Sequence, residues 1–129
     1  MLKTRKDTLG MWMSGLCIVH CIVTPILVVS LGAGLAISWL ASEWVHVLLF
    51  IPILFLVATS IVPTFANFQY WPGFLLAIAG LLSLAASFAF HGWLEEFLAV
   101  AGGTCVFVAH YLNARFLRCL NKKEEDLTA

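Results

Sequence analysis

The stretch that decides the fold is residues 11–38, MWMSGLCIVHCIVTPILVVSLGAGLAIS, which contains no Asp, Glu, Lys or Arg. A helix needs about 20 mostly apolar residues to cross the hydrocarbon core of a bilayer, so this stretch is long enough to span it. It is also much longer than the apolar part of a cleaved signal peptide, which has about 7–15 residues. We therefore expect an uncleaved membrane-spanning helix here.

The composition of the whole chain agrees with this expectation. Its 129 residues are 62% hydrophobic and 11% charged, with a mean hydropathy of +1.00. Soluble domains are roughly 45–50% apolar and about 25% charged, and a chain this short leaves much of its surface exposed. The composition therefore excludes a soluble fold, and the formal net charge of zero gives no indication of a nucleic-acid partner.

Three further apolar stretches follow the first, separated by interruptions at 41–43, 63–71 and 91–93. We predict membrane-spanning helices at residues 11–38, 44–62, 72–90 and 95–117. The polar tail at 121–129 is expected to be cytoplasmic and disordered. The predicted fold class is an all-α membrane protein, a four-transmembrane-helix bundle in which residues 1–120 form a single domain.

The positions of the charges indicate how these helices are oriented. All seven basic residues lie near the two ends of the chain: Lys3, Arg5, Lys6, Arg115, Arg118, Lys122 and Lys123. Because basic residues concentrate on the cytoplasmic side, we expect both termini in the cytoplasm, which requires an even number of spans. Helical spans place a bacterial protein of this kind in the inner membrane, since spanning proteins of the outer membrane are β-barrels.

The stretch that carries chemistry is Cys17-Ile18-Val19-His20-Cys21-Ile22-Val23-Thr24-Pro25. At about 100° per residue, its two thiols, its imidazole and the Thr24 hydroxyl fall within roughly a 100° arc of the helix. Polar side chains inside a membrane are costly and are usually functional, which favours a metal site over simple packing. The Cβ atoms at i and i+4 are about 5–6 Å apart, too far for an unstrained disulfide but suitable for two metal–sulfur bonds.

The fourth span offers further ligands at a similar depth. At a rise of roughly 1.5 Å per residue, Cys17 lies about 9 Å from the basic end of the first span and His110 about 7.5 Å from Arg115. Two thiolates would neutralise a divalent cation, and metal binding would release their protons. We therefore predict a cytoplasmic-side metal site of Cys17, His20, Cys21 and His110, supported by Thr24 and Asn113.

The same span carries signals for helix packing. Gly102 and Gly103 lie near the face of His110 and would allow another helix to approach closely. Cys105 lies about 140° around the helix from His110, and we interpret it as a small packing residue.

A second group of polar residues lies at the opposite ends of the spans. His46 begins the second span, His91 ends the third, and Glu95 and Glu96 begin the fourth. We predict that His46 and Glu95 receive the metal ion on the outer side, whereas His91 and Glu96 are favoured as ordinary interface residues. On the cytoplasmic side, Cys119 is a candidate thiol acceptor.

These residues resemble the MerC mercury-resistance family, small bacterial inner-membrane proteins of four helices. The resemblance rests on Cys17-x-x-His20-Cys21-x-x-Thr24-Pro25, on His46 with Pro52, and on Glu96, Gly102-Gly103, His110-x-x-Asn113, Arg115 and Cys119. It implies that the first-helix cysteines bind mercuric ion, which is taken up into the cytoplasm for a reductase to act on. Mercury-linked members are expected to have a C-terminal thiol pair, whereas this chain has only Cys119.

We therefore predict a transport protein and not an enzyme, with mercuric ion as cargo and zinc or copper as alternatives. The ion would pass from His46 and Glu95 to Cys17 and Cys21, and then past His110 to Cys119 or a soluble thiol. The expected partners are the lipid bilayer, the metal ion, a periplasmic metal donor and a cytosolic thiol acceptor or reductase. A homo-oligomer is left open, and no organic cofactor is predicted.

Three other functions remain open at this point. A metal sensor of the same fold would carry the same ligands. A haem-binding electron-transfer four-helix membrane protein could use the four histidines as axial ligands. A membrane thiol oxidoreductase needs reachable cysteines on the outer side, whereas the predicted depths place the cysteines in the membrane or on the cytosolic side.

Overall fold

The computed structural model describes residues 4–32, 34 and 42–128, without the side chain of Glu43. Within these ranges every regular element is helical. We number the helices α1 (Arg5–Leu31), α2 (Glu43–Leu56, continuing through a π-helical turn at Val57–Ile61 into Val62–Phe68), α3 (Trp71–Ser87) and α4 (Trp93–Thr128). The predicted number of four helices is confirmed.

The lengths of the helices fit a bilayer. Three of them, α1, α2 and α4, are long and apolar enough to cross a membrane, and α3 is a shorter apolar helix of 17 residues. A helix of this length extends about 26 Å, slightly less than the roughly 30 Å hydrocarbon core, a mismatch that a bilayer accommodates by local thinning. The protein is therefore a multi-pass membrane protein.

The helix boundaries differ from the predicted ones in several places. α2 continues to Phe68, through part of the interruption predicted at 63–71, and α3 ends at Ser87 and not at residue 90. α1 begins at Arg5 and not at residue 11, while residues 35–38 of the predicted first span lie outside the described residues. At the other end of the chain, α4 continues to Thr128, so the expectation of a disordered tail is wrong for residues 121–128. Extending an existing helix is much easier than nucleating one, and the Lys, Glu and Leu residues of this segment are good helix formers.

The buried face of α1 packs against α4, and the two helices run antiparallel. Asp7, near the start of α1, contacts His110 in the second half of α4, whereas Cys21 lines a cleft together with Glu95, near the start of α4. The buried residues of α1 recur about every 3.5 positions, as in the seam between two packed helices: Asp7, Gly10, Ser14, Cys17 and Cys21.

Glycine allows α3 and α4 to approach closely, as predicted for Gly102. A Cβ atom placed on Gly102 would lie 2.8 Å from the carbonyl oxygen of Gly80, and one on Gly80 would lie 2.8 Å from that of Gly102. The neighbouring Gly103 faces Ile18 on α1 instead. Cys105 is half-buried beside Gly80, consistent with the packing role expected of it.

The bundle has two chemically different ends, one basic and one acidic. The basic end carries Arg5, Lys6, Arg115 and Arg118, all exposed. The acidic end carries Glu95 and Glu96 at the start of α4. Trp44 and Trp93 also lie at the acidic end, with exposed fractions of 80% and 77%. Exposed Trp at a helix end is typical of the membrane–water interface.

Candidate metal centre

α1 and α2 bring together His20, Cys21 and His46 near the acidic end. One ligand atom from each residue lies within 4.8 Å of the others. Cys21 Sγ is 3.7 Å from His46 Nε2, and the rings of His20 and His46 meet edge to face with their centroids 5.2 Å apart. Donor atoms that share one zinc-sized ion at bond lengths of about 2.0–2.3 Å are separated by roughly 3–4 Å. The observed spacing is therefore close to that of a metal centre.

Cys17 adds a second thiol one helical turn from Cys21. Both side chains are buried, with 4% exposure each, and both thiols are free. Their thiols lie close enough to interact, and Cys17 also lines a small cavity against His46 and Phe50. We call Cys17, His20, Cys21 and His46 the thiol–imidazole group.

The second ring nitrogen of His46, Nδ1, faces the carboxylate of Glu95 on α4. His46 Nδ1 lies 3.5 Å from Glu95 Oε1, while Nε2 of the same ring faces Cys21. Metal-bound histidines commonly direct their second ring nitrogen to a carboxylate, which fixes the orientation of the ring and makes the ligating nitrogen more basic. Glu95 is thus placed to support His46 as a ligand, and it links α4 to the group formed by α1 and α2.

A cleft of about 230 Å³ gives access to this group from the acidic end. Its volume is several times the roughly 30 Å³ that a water molecule occupies in the liquid, so a partly hydrated cation fits. Its lining combines the ligand side chains with apolar residues of the last turns of α1 and carboxylates of α4: His20, Cys21, Thr24, Pro25, Val28, Val29, His46, Gly92, Glu95 and Glu96. Thr24 and Glu96 therefore lie beside the candidate metal centre.

Two sites that were predicted separately lie together in the structure, and one predicted ligand, His110, lies apart from them. The thiol pair and the outer residues His46 and Glu95 were predicted as distinct sites but lie together. His110 is not brought to the thiols. It is completely buried at the basic end, where its ring faces Gly10, seven residues and about 10 Å along α1 from Cys17.

His110 was expected beside the thiols because the depth of Cys17 was measured from residue 11, the predicted start of the first span. α1 begins six residues earlier, at Arg5, which moves Cys17 about 9 Å further from the basic end than expected. The remaining candidates are spread over the bundle: His91 is exposed near the acidic end, Cys119 is exposed on α4 beyond His110, and Asn113 is buried beside His110.

Asp7 was not among the residues singled out from the sequence. Its side chain is 0% exposed and is bonded by Ser60, His110 and Asn113. The signal was present, since Asp7, Ser14 and Cys21 recur at intervals of seven residues and so lie on one face of α1.

Comparison with known proteins supports the resemblance seen in the sequence. A sequence model of the MerC mercury resistance protein family matches residues 7–115. This range includes the whole thiol–imidazole group, Glu95, Asp7 and His110. Searches of curated proteins and of solved structures found no match. The family is one of transport proteins and not of enzymes. Because the match extends over most of the chain and over all four helices, the chain belongs to the MerC mercury resistance protein family.

Proposed function

We propose that this protein carries mercuric ion across the bacterial inner membrane into the cytoplasm, using the thiol–imidazole group as its binding site. The observation that carries the proposal is the convergence of Cys21 Sγ and His46 Nε2, 3.7 Å apart, beside a cleft at the acidic end of a membrane protein of this family. Basic residues favour the cytoplasmic side, so the acidic end faces outward in this proposal.

The thiols supply the selectivity for a soft ion. Soft metal ions prefer thiolate ligands over carboxylate or carbonyl oxygen. On binding, each of Cys17 and Cys21 forms a sulfur–mercury bond and loses its proton, so that one divalent ion replaces two protons. The charge of the group does not change in this exchange, which matters because a net charge inside the hydrocarbon core is costly.

The imidazoles and carboxylates assist at the outer side. Glu95 and Glu96 border the cleft and attract cations to its mouth. Glu95 then orients His46, whose Nε2 faces Cys21 and provides a neutral first ligand before both thiols engage. His20, whose ring contacts that of His46, provides a second nitrogen donor.

Release occurs by ligand exchange at the basic end. Cys119 is exposed on α4, 24 residues and about 36 Å beyond Glu95, so a thiol is available on the far side of a bilayer core of about 30 Å. A soluble cytosolic thiol or a reductase would draw the ion onward, and a periplasmic metal donor would supply it. No source of energy beyond the stronger binding by cytosolic thiols is needed.

Zinc is the second candidate cargo, because one sulfur and two imidazoles in His20, Cys21 and His46 also suit that ion. Copper(I) would use the two thiols. The described residues offer no observation in favour of haem binding, since His110 is bonded to Asp7 through Nδ1 and its other edge is closed by Gly10.

The test is elemental analysis of the purified protein after exposure to mercury, zinc and copper together. The comparison is made in a Cys119→Ser background, because the exposed Cys119 thiol would itself bind mercury. Near-stoichiometric mercury is expected in this background and in its control Cys105→Ser, whose thiol packs against α3, and it should be lost in Cys17→Ser/Cys21→Ser. Mercury retained by the double variant would contradict the site, and preferential zinc or copper would change the cargo. Uptake of the retained metal into proteoliposomes separates a carrier from a sensor, which would bind without transporting.

A further inference from the structure

A second buried polar cluster, separate from the thiol–imidazole group, lies at the basic end around Asp7. Its carboxylate is 0% exposed. Oδ1 accepts hydrogen bonds from Ser60 Oγ at 2.7 Å and from Asn113 Nδ2 at 3.0 Å, and it contacts His110 Nδ1 at 2.9 Å. Oδ2 accepts from Asn113 Nδ2 at 3.0 Å. Three helices thus meet at one carboxylate, and every group around it is able to donate.

We propose that Asp7 and His110 form a proton-binding site at the basic end of the bundle. A fully buried ionisable side chain is costly, and in a membrane protein it is a candidate for an ion or proton site. Ser60 and Asn113 donate hydrogen bonds to the Asp7 carboxylate, and a second proton on the His110 ring, at the Nδ1 that faces Asp7, makes the buried pair electrically neutral. Removing that proton leaves a net negative charge in a medium of low dielectric constant.

Neither protonation state of the pair is fully satisfied, so the proton is exchangeable. With the proton bound, the Nε2–H of His110 is buried without a hydrogen-bond partner among the described residues. Without it, the ring keeps a single proton on Nε2, and Nδ1 is a bare acceptor that faces the unneutralised carboxylate of Asp7. Both the protonated and the deprotonated pair are therefore destabilised, because each leaves a buried polar group or charge without a partner.

The site excludes a metal ion by its geometry. His110 Nδ1 is engaged by Asp7. The opposite edge of the ring lies so close to α1 that a Cβ atom on Gly10 would overlap Nε2, Cδ2 and Cε1. No ring nitrogen is open to a cation with bonds of about 2 Å, whereas a proton needs no such space.

Ser60 connects the pair to the surface. It lies in the π-helical turn of α2, donates to Asp7, and also lines a cleft of about 170 Å³ with Lys6, Thr64 and Asn67. π-helical turns within α-helices frequently occur at functional sites. As the Ser60 hydroxyl accepts a proton from this cleft, it passes its own proton to Oδ1 of Asp7, and Oδ1 passes it to Nδ1 of His110.

The surroundings contain few competing titratable groups. On α1 the nearest charged residues are Arg5 and Lys6, both exposed, with Lys6 Nζ donating to the Thr59 carbonyl. On α4 they are Arg115 and Arg118, also exposed. Residues 57–68 of α2 and 71–87 of α3 contain no titratable side chain. Near α3, Tyr70 is stacked on Phe116, away from the carboxylate contacts.

The site lies on the same helices as the metal group. Asp7 and Cys21 are fourteen residues apart on α1, and Glu95 and His110 fifteen apart on α4, so the two clusters are separated by about 21 Å along the bundle. Each ties α1, α2 and α4 together at one end. Under the proposed function, binding of a proton at one end and of metal at the other are therefore linked, and linkage is reciprocal.

Nuclear magnetic resonance of the protein with nitrogen-15-labelled histidine, in bilayers and without metal, tests the proton site directly. The ring signals of His110, identified by their loss in His110→Gln, are expected to change with pH and to lose or shift that dependence in Asp7→Asn. The exposed His91 gives a matched control, since His91→Gln should leave the His110 signals unchanged. Ring signals of His110 that are invariant with pH in the folded wild type would overturn the proposal.

A second measurement tests the coupling, which rests on the proposed function. Mercury uptake into oriented proteoliposomes should depend on the pH at the basic end, and Asp7→Asn should reduce this dependence to the part that the thiols contribute, while His91→Gln retains all of it. The same pH dependence in Asp7→Asn as in the wild type would overturn the coupling. Absence of mercury uptake in every variant would instead contradict the proposed function, and the resonance result would still decide the proton site.

Discussion

Gly10 is the position at which the packing of α1 on α4 can be tested most sharply. An Ala side chain there would overlap three atoms of the His110 ring, which is held by Asp7 on one side and by its own helix on the other. Overpacking costs about 1–3 kcal/mol, and displacing the ring would also break a hydrogen bond to a charged group, about 1.5–3 kcal/mol. Replacing Gly by Ala within a helix stabilises the helix by up to about 1 kcal/mol, which offsets part of these costs.

The expected net effect of Gly10→Ala is therefore a loss of about 1–5 kcal/mol in the free energy of unfolding, measured by denaturant titration in detergent micelles. Gly15→Ala is the matched control, because its Cβ would meet only Phe107, at 4.0 Å. That variant should be as stable as the wild type or slightly more stable. Equal stability of the two variants would refute the close packing of His110 against α1.

Four further outcomes are expected. Glu95→Gln should weaken metal binding about 10- to 100-fold, because His46 loses the carboxylate that orients it, and unchanged affinity would contradict that role. Gly102→Val should destabilise the fold by separating α3 from α4, which thermal unfolding beside a Thr104→Val control on the exposed face will show. Lowering the pH should weaken metal retention, since both thiols must lose protons, and equilibrium dialysis at several pH values measures this. A membrane-impermeant maleimide should label Cys119 only from the cytoplasmic side, and labelling from the periplasm would reverse the proposed orientation.

The chemistry of the centre could be predicted from sequence because it lies largely within one helix. Helical periodicity alone places Cys17, His20, Cys21 and Thr24 on one arc of α1. In the structure three of them line the cleft, and Cys17 lines the small cavity next to His46. The position of His46, the residue that α2 adds to the group, was harder to predict. His46 was recognised as a candidate ligand but assigned to a separate site, because sequence does not give the register between two helices.

The case of His110 shows how sensitive that register is. An error of six residues in the start of α1 corresponds to about 9 Å along its axis. With that error His110 was predicted to lie beside the thiols, whereas in the structure it contacts Asp7. The apolar pattern does not mark the boundary, since a helix can extend beyond the hydrocarbon core into the interface. Asp7 lies in this extension, outside the predicted span of 11–38, and was therefore not considered as a buried residue.

The sequence by itself determined the class of protein, the number of helices and the packing glycines of α4, and it supplied the candidate ligand types. These follow from local quantities: hydropathy over about 20 residues, helical periodicity and the chemistry of single side chains. Only the tertiary structure decided that His46 and Glu95 join the thiols at the acidic end while Asp7, Ser60, His110 and Asn113 meet at the basic end. The physical reason is that the relative shift of antiparallel helices is set by the fit of whole buried faces, such as Gly10 against His110 and Gly80 against Gly102, and not by any single segment.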